Sequence, residues 1–190
     1  MEALKEKIRQ EGVGIGTEVV QVDMFLNHKI DVDLAIKMGQ AFYEAFKDEQ
    51  VDCILTVEAS GIITGMTTAM AFGNIPVIFA KKGERRNIGQ DVYTAEVYSF
   101  THQKSNVIRV SRKYLKPGTK VLIIDDFLAN GAALNGLISI VESAGAELVG
   151  AGVCIEKGWQ KGGAELRARG VKLVSLAVVD AIEDGKLIVR

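Results

Sequence analysis

Two adjacent carboxylates, Asp125 and Asp126, directly follow the apolar run Val121-Leu122-Ile123-Ile124. After them come Phe127 and Leu128, then the small-residue stretch Ala129-Asn130-Gly131-Ala132-Ala133. The apolar run reads as a buried strand, and the stretch from Asn130 onward as a turn opening a helix. A helix N-terminus offers free backbone N–H groups and a partial positive charge, and small side chains let phosphate oxygens approach them. Asn130 can cap the helix or donate to an oxygen. Carboxylates repel phosphate but accept hydrogen bonds from sugar hydroxyls. Acids beside a phosphate cradle therefore point to a sugar phosphate. The alternative is an acidic turn after a core strand. A P-loop is excluded, because no Lys-Ser or Lys-Thr follows the glycine. Gly12, Gly14 and Gly16 approach a dinucleotide fingerprint but follow a helix pattern, so they read as a helix terminus and turn.

These residues need elements to position them. Apolar strands are expected at Asp52–Val57, Pro76–Ala80, Lys120–Ile124, Leu148–Ile155 and Val171–Val179. Helices are expected at Gly61–Phe72, Asn130–Ala144 and Gly163–Arg169, with another beginning near Asp31 and a charged amphipathic one over Met1–Glu11. The alternation predicts an α/β fold with a mostly parallel central sheet flanked by helices. In open sheets of that kind, ligands bind outside the carboxyl ends of the strands. Two regions break the rhythm. Val13–Asp33 is a Gly-rich polar connector, and Lys81–Lys116 carries strand-like pieces at Val92–Phe100 and Asn106–Ser111. The latter reads as an antiparallel excursion or a long mobile loop. One domain over residues 1–190 accommodates everything.

With a formal net charge of -1, 48% apolar and 25% charged residues, the chain has no excess positive field for nucleic acid or an anionic membrane. No run reaches the roughly 20 apolar residues of a spanning helix. Met1–Glu11 lacks the apolar centre of a secretory leader, so a cytoplasmic location is expected. Cys53 and Cys154 lie in apolar runs, as buried small hydrophobes do. His28 and His102 are too far from each other and from the cysteines for a zinc spacing.

The run from Asp125 to Gly131 closely resembles the phosphoribosyl pyrophosphate motif of the type I phosphoribosyltransferases. It departs at Asn130, where many members carry Thr or Ser, so a hydroxyl contact to the 5′-phosphate is replaced or lost. The resemblance to bacterial xanthine-using members of that family extends nearly end to end. It takes in Met1-Glu2-Ala3-Leu4-Lys5, Val22-Asp23, Phe25-Leu26-Asn27-His28, Val97-Tyr98-Ser99-Phe100-Thr101 and Ile155-Glu156-Lys157.

The resemblance implies a type I fold with a small N-terminal hood, mainly from residues 1–35 with C-terminal contributions, and a mobile loop. It implies transfer of phosphoribosyl from phosphoribosyl pyrophosphate to xanthine; hypoxanthine or guanine is the rival base, and a non-catalytic regulator sensing phosphoribosyl pyrophosphate the rival role. Ala129, Asn130, Gly131, Ala132 and Ala133 would hold the 5′-phosphate, and Asp125 and Asp126 the ribose hydroxyls, directly or through magnesium-bound water. Glu58, Ala59, Ser60 and Gly61 match the pyrophosphate loop, where backbone N–H groups can form an anion nest. Lys157 would donate to an exocyclic oxygen of the purine, and Val20 and Asn27 match base-contacting positions. Trp159 stacks on the base or packs against the short helix after Gly163. Lys81 and Lys82, with Arg85 and Arg86, would neutralise pyrophosphate from a lid. Magnesium is expected on the substrate rather than on direct protein ligands, and a homodimer is implied.

Overall fold

The computed structural model describes residues 1–83, 91–99 and 104–190. Strands β3 (Cys53–Val57), β4 (Val77–Lys82), β5 (Val92–Ser99), β6 (Lys104–Ser111), β7 (Lys120–Leu128), β8 (Glu147–Lys157), β9 (Leu173–Glu183) and β10 (Lys186–Val189) form one eight-stranded sheet. Its order is β10-β9-β8-β7-β3-β4-β6-β5. The inner strands β9, β8, β7, β3 and β4 are parallel, and antiparallel strands close both edges. The expected α/β architecture is therefore present, and of the two readings of Lys81–Lys116 the antiparallel excursion is realised by β5 and β6. Glu84, Arg85, Arg86, Phe100, Thr101 and His102 lie outside the described residues.

Strand alternation divides the sheet's side chains between two cores. Ile54, Leu122 and Ile124 point to one face, with Leu34, Met38, Phe42 and Phe46 of helix α2 (Val32–Phe46) and Ala69 of α3 (Gly61–Ala71). Leu55, Val121 and Ile123 point to the other, with Leu134, Leu137 and Val141 of α4 (Ala132–Ser143) and Leu166 of α5 (Gly162–Ala168). Helix α2 starts where Asp31 accepts a hydrogen bond from the Leu34 N–H at 3.1 Å. Both cysteines are free and buried in strands, and burial pushes the Cys53 thiol up to about 11.

The N-terminal connector holds more order than its composition suggests. Helix α1 (Glu2–Glu11) leads into a hairpin of β1 (Val13–Ile15) and β2 (Val19–Gln21), then a short π-helical turn over Asp23–Asn27. Gly12 ends α1, its N–H reaching the Ile8 carbonyl at 2.9 Å. Gly14 lies in β1 against the β9–β10 hairpin, where a Cβ would overlap Ile182 Cγ2 and where its N–H reaches the Gly185 carbonyl at 2.9 Å. The N-terminal hairpin is thus packed against the C-terminal one. Among the described residues, no helix is long and apolar enough to cross a membrane.

Candidate active site

Strand β7 is longer than its apolar run. It continues through both acids to Leu128, with Asp125 opposite Val153 and Leu128 opposite Glu156 of β8. Ending the strand at Ile124 is therefore corrected. The partner strand supplies a parallel ladder that outweighs the poor strand preference of aspartate. The turn that follows reaches α4 at Gly131, whose φ of 81° is left-handed and suits glycine. Gly131, not Asn130, occupies the N-cap, and no side chain caps the helix. Of the two roles open to Asn130, capping is thus ruled out, and the first N–H groups of α4 are left without a side-chain partner.

A cavity of about 1020 Å³ opens at this end of the sheet. Asp125, Asp126 and every residue from Ala129 to Ala133 line it. Glu58 and Ser60 border it from the β3–α3 turn, Lys82 from the end of β4, and Lys157 from the end of β8. Ala59 and Gly61 complete that turn without lining the cavity; the Glu58–Ala59 peptide bond is cis. Gly61 is squeezed between Thr56 and Asp125, so that a Cβ there would overlap Thr56 Oγ1 and lie 2.7 Å from Asp125 Oδ1. The Glu58 carboxylate accepts the Lys82 N–H at 2.8 Å, tying the turn to β4. Lys81 does not line the cavity; its ammonium lies 5.8 Å from the Phe79 ring centroid.

Asp125 is 3% exposed, and its Oδ1 accepts the Asp126 N–H at 3.0 Å. Burial, reinforced by the Asp126 charge, raises its carboxyl well above the usual carboxylate range. Asp126 is half-buried on the cavity wall. Among the described residues no three His, Cys, Asp or Glu side chains converge as a metal cluster.

Lys157 donates to the Glu18 carbonyl of the hood at 2.7 Å. Burial lowers its pKa from the ordinary lysine value, opposed by the Glu18 charge. Trp159 lines the cavity, 6.0 Å from the Lys157 ammonium by its ring centroid, and also packs against the core face that carries α2. Val20 is buried in that same core and Asn27 is exposed at the end of the π-helical turn; neither lines the cavity. Their neighbours Glu18 and Val19 do.

Sequence reasoning missed Glu18, Val19, Gln160 and Lys161, and also Val97 and Asn106 of β5 and β6, which complete the wall. Nothing in their residue types signals it: the β1–β2 hairpin carries Glu18 and Val19 there, the paired strands β5 and β6 carry Val97 and Asn106, and the turn from β8 to α5 carries Gln160 and Lys161. The Gln160 Oε1 is buried with no hydrogen-bond partner among the described residues. Equally illegible was the network behind Lys157. Glu156, 5% exposed, receives Arg167 through two bonds of 2.8 and 2.7 Å and a further one from the Ser175 hydroxyl.

An acid pair and a small-residue helix start facing one cavity on this sheet are the attributes of a class. The chain belongs to the phosphoribosyltransferase family, whose Phosphoribosyl transferase domain matches residues 21–172. Its relatives narrow the class. The xanthine phosphoribosyltransferase of Clostridioides difficile (strain 630) is 51% identical over 185 residues, 97% of each chain. That of Laribacter hongkongensis (strain HLHK9) is 49% identical over 187 residues, 98% of each chain. Solved adenine phosphoribosyltransferases share the fold. The one from Rhodothermus marinus DSM 4252 gives a TM-score of 0.73 at 22% identity, covering 94% of this chain and 99% of that one. The Trypanosoma brucei enzyme, in complex with AMP, pyrophosphate and ribose-5-phosphate, gives 0.74 at 20% identity, covering 92% and 79%.

Proposed function

We propose that this protein transfers the 5-phosphoribosyl group of phosphoribosyl pyrophosphate to xanthine, giving xanthosine 5′-monophosphate and pyrophosphate. The observation that carries the reading is convergence: the acid pair of β7, the uncapped start of α4 and the Lys157 ammonium line a single cavity. The choice of xanthine rests on relatives about half identical over nearly the whole chain.

In this reading the loop Ala129–Ala133 seats the 5′-phosphate on the N–H groups of α4. Asp125 and Asp126 accept from the ribose hydroxyls. The turn Glu58–Gly61 and Lys82 face the pyrophosphate, with Lys81 beside them. Lys157 donates to an oxygen at the purine six-position, where adenine carries an amino group, and Val19 with Trp159 encloses the ring. Val20 and Asn27 act from the hood, where substrate closure would bring Asn27 inward.

A purine nitrogen bonds to the anomeric carbon as the carbon–oxygen bond to pyrophosphate breaks, the electron pair leaving with pyrophosphate. Positive charge spreads over the ribose ring and negative charge grows on the leaving group. Fixed dipoles and cations stabilise that separation without reorganising. The acid pair suits a hard magnesium ion that would be held by substrate oxygens and water, with Asp125 and Asp126 reaching its water shell. When bound, that ion supplies charge neutralisation on pyrophosphate.

The chain is assigned as one domain working in the cytoplasm, consistent with two free buried thiols. A homodimer is the assigned assembly, supported by exposed Met66 and Met70 of α3 and Phe79 of β4. Sedimentation of the purified protein at the mass of one chain overturns the dimer.

Steady-state assays with phosphoribosyl pyrophosphate and each of xanthine, guanine, hypoxanthine and adenine test the activity. Xanthine should have the highest kcat/KM. Lys157→Ala should lower kcat/KM for xanthine by about 10- to 100-fold, the worth of a charge-assisted hydrogen bond, and leave the affinity for phosphoribosyl pyrophosphate nearly unchanged. Preference for adenine, or equal loss of both affinities, overturns the base assignment.

A further inference from the structure

Helix α5 opens with two glycines, Gly162 and Gly163, at positions where alanine is by far the better helix former. Neither has the left-handed φ that would demand glycine. The reason is space. A Cβ on Gly162 would overlap the Ala129 carbonyl oxygen and lie 2.5 Å from the Gly131 nitrogen and 2.7 Å from the Asn130 carbonyl carbon. All three are backbone atoms of the small-residue loop, so nothing flexible can give way. From the other side, a Cβ on Gly131 would lie 3.2 Å from Gly162 Cα and 3.3 Å from Asn135 Nδ2. Asn135 in turn accepts a hydrogen bond from Arg169, just beyond the end of α5. Both ends of α5 therefore bear on Gly131, one by backbone contact and one through a side-chain bond.

The brace is itself anchored. A Cβ on Gly163 would overlap Glu156 Oε1, leaving no room for the paired bonds by which Arg167 fixes α5 to β8. Glu156 stands one residue before Lys157. Glycine thus serves twice, once against the loop and once against the ion pair.

We propose that α5 braces the phosphate loop, with Gly162 and Arg169 as positioning residues that hold Ala129–Gly131 in its binding shape without touching the substrate. The inference rests on the reading that this loop seats the 5′-phosphate. Fitting a methyl group at Gly162 requires the loop to retreat by on the order of 0.5–1 Å, a displacement that costs about 100-fold where N–H groups are aimed at an anion.

Calorimetric titration with ribose 5-phosphate, and separately with pyrophosphate, tests it. Gly162→Ala should weaken ribose 5-phosphate by about 10- to 100-fold and leave pyrophosphate within about twofold. Arg169→Ala, an exposed change that spares the core, should weaken ribose 5-phosphate by about two- to fivefold. Ala132→Asp separates the two ideas, because an acid in the first turn of α4 suits the helix yet repels phosphate. If Ala132→Asp abolishes ribose 5-phosphate binding and both α5 variants bind normally, the brace is wrong and the loop reading stands. If Ala132→Asp binds ribose 5-phosphate normally, the loop reading fails and takes the brace with it. Equal weakening of both ligands by Gly162→Ala means general damage and also overturns the brace. Should Gly162→Ala not fold, Arg169→Ala decides alone: selective loss upholds the brace, and no loss removes it.

Discussion

In the proposed function, Asp125 stands where chemistry and stability conflict. Its carboxyl is buried beside a second acid, and burial raises it well above the usual range. A carboxyl whose folded-state value exceeds the unfolded one loses stability as pH rises through the folded value. Asp125→Asn keeps an oxygen to accept the Asp126 N–H and removes the group whose ionisation burial opposes. At neutral pH the variant should be more stable than the parent by about 1–2 kcal/mol, a gain that disappears in acid, where the parent's carboxyl is protonated. Its turnover should fall by about 100-fold or more. Thermal melts at neutral and acid pH, paired with steady-state rates, check both halves; a less stable variant at neutral pH would remove the claim that burial strains this acid. The acid pair and the small loop were legible in the sequence because they are contiguous. The Thr56–Gly61–Asp125 packing was not, since it joins residues 69 positions apart on β3, α3 and β7.

At the scale of elements, β7 and α5 are the informative cases. The strand pattern ended at Ile124 because the next residues are charged, but pairing with β8 carries it on to Leu128. Helix α5 was legible as a short helix, yet its anchor was not. Glu156 sits in an apolar strand, and its partners Arg167 and Ser175 lie on other elements. Arg167, hydrogen-bonded to Glu156, lowers that carboxyl below its ordinary value. A depressed carboxylate contributes stability above its unfolded value and loses it as pH falls through the folded one. Arg167→Met should cost about 1–2 kcal/mol at neutral pH, discounted because the Arg167 side chain is 44% exposed. The difference from the parent should shrink below the ordinary carboxylate range. Urea unfolding at several pH values measures this, and a cost independent of pH would rule out the ion pair as its source.

For the whole molecule, one sheet shared by two cores predicts cooperative unfolding. Phe42→Ala on one face and Leu137→Ala on the other should each cost about 2–5 kcal/mol. Each should shift a single transition, seen alike by near- and far-ultraviolet circular dichroism. Separate transitions would divide the chain into more than one folding unit. The sequence by itself determined the strand–helix alternation and the chemical identity of the acid pair and the small loop, because periodicity and contiguous motifs are local; Lys157, at the end of β8, was singled out only by resemblance. Tertiary structure alone decided that hairpins from the N-terminus and from β5–β6 wall the cavity. It alone decided that Val20 lies in the core while Val19 lines the cavity, and that α5 presses on the loop. Each of these depends on backbone brought together across many residues, and no local pattern of residue types encodes such a contact.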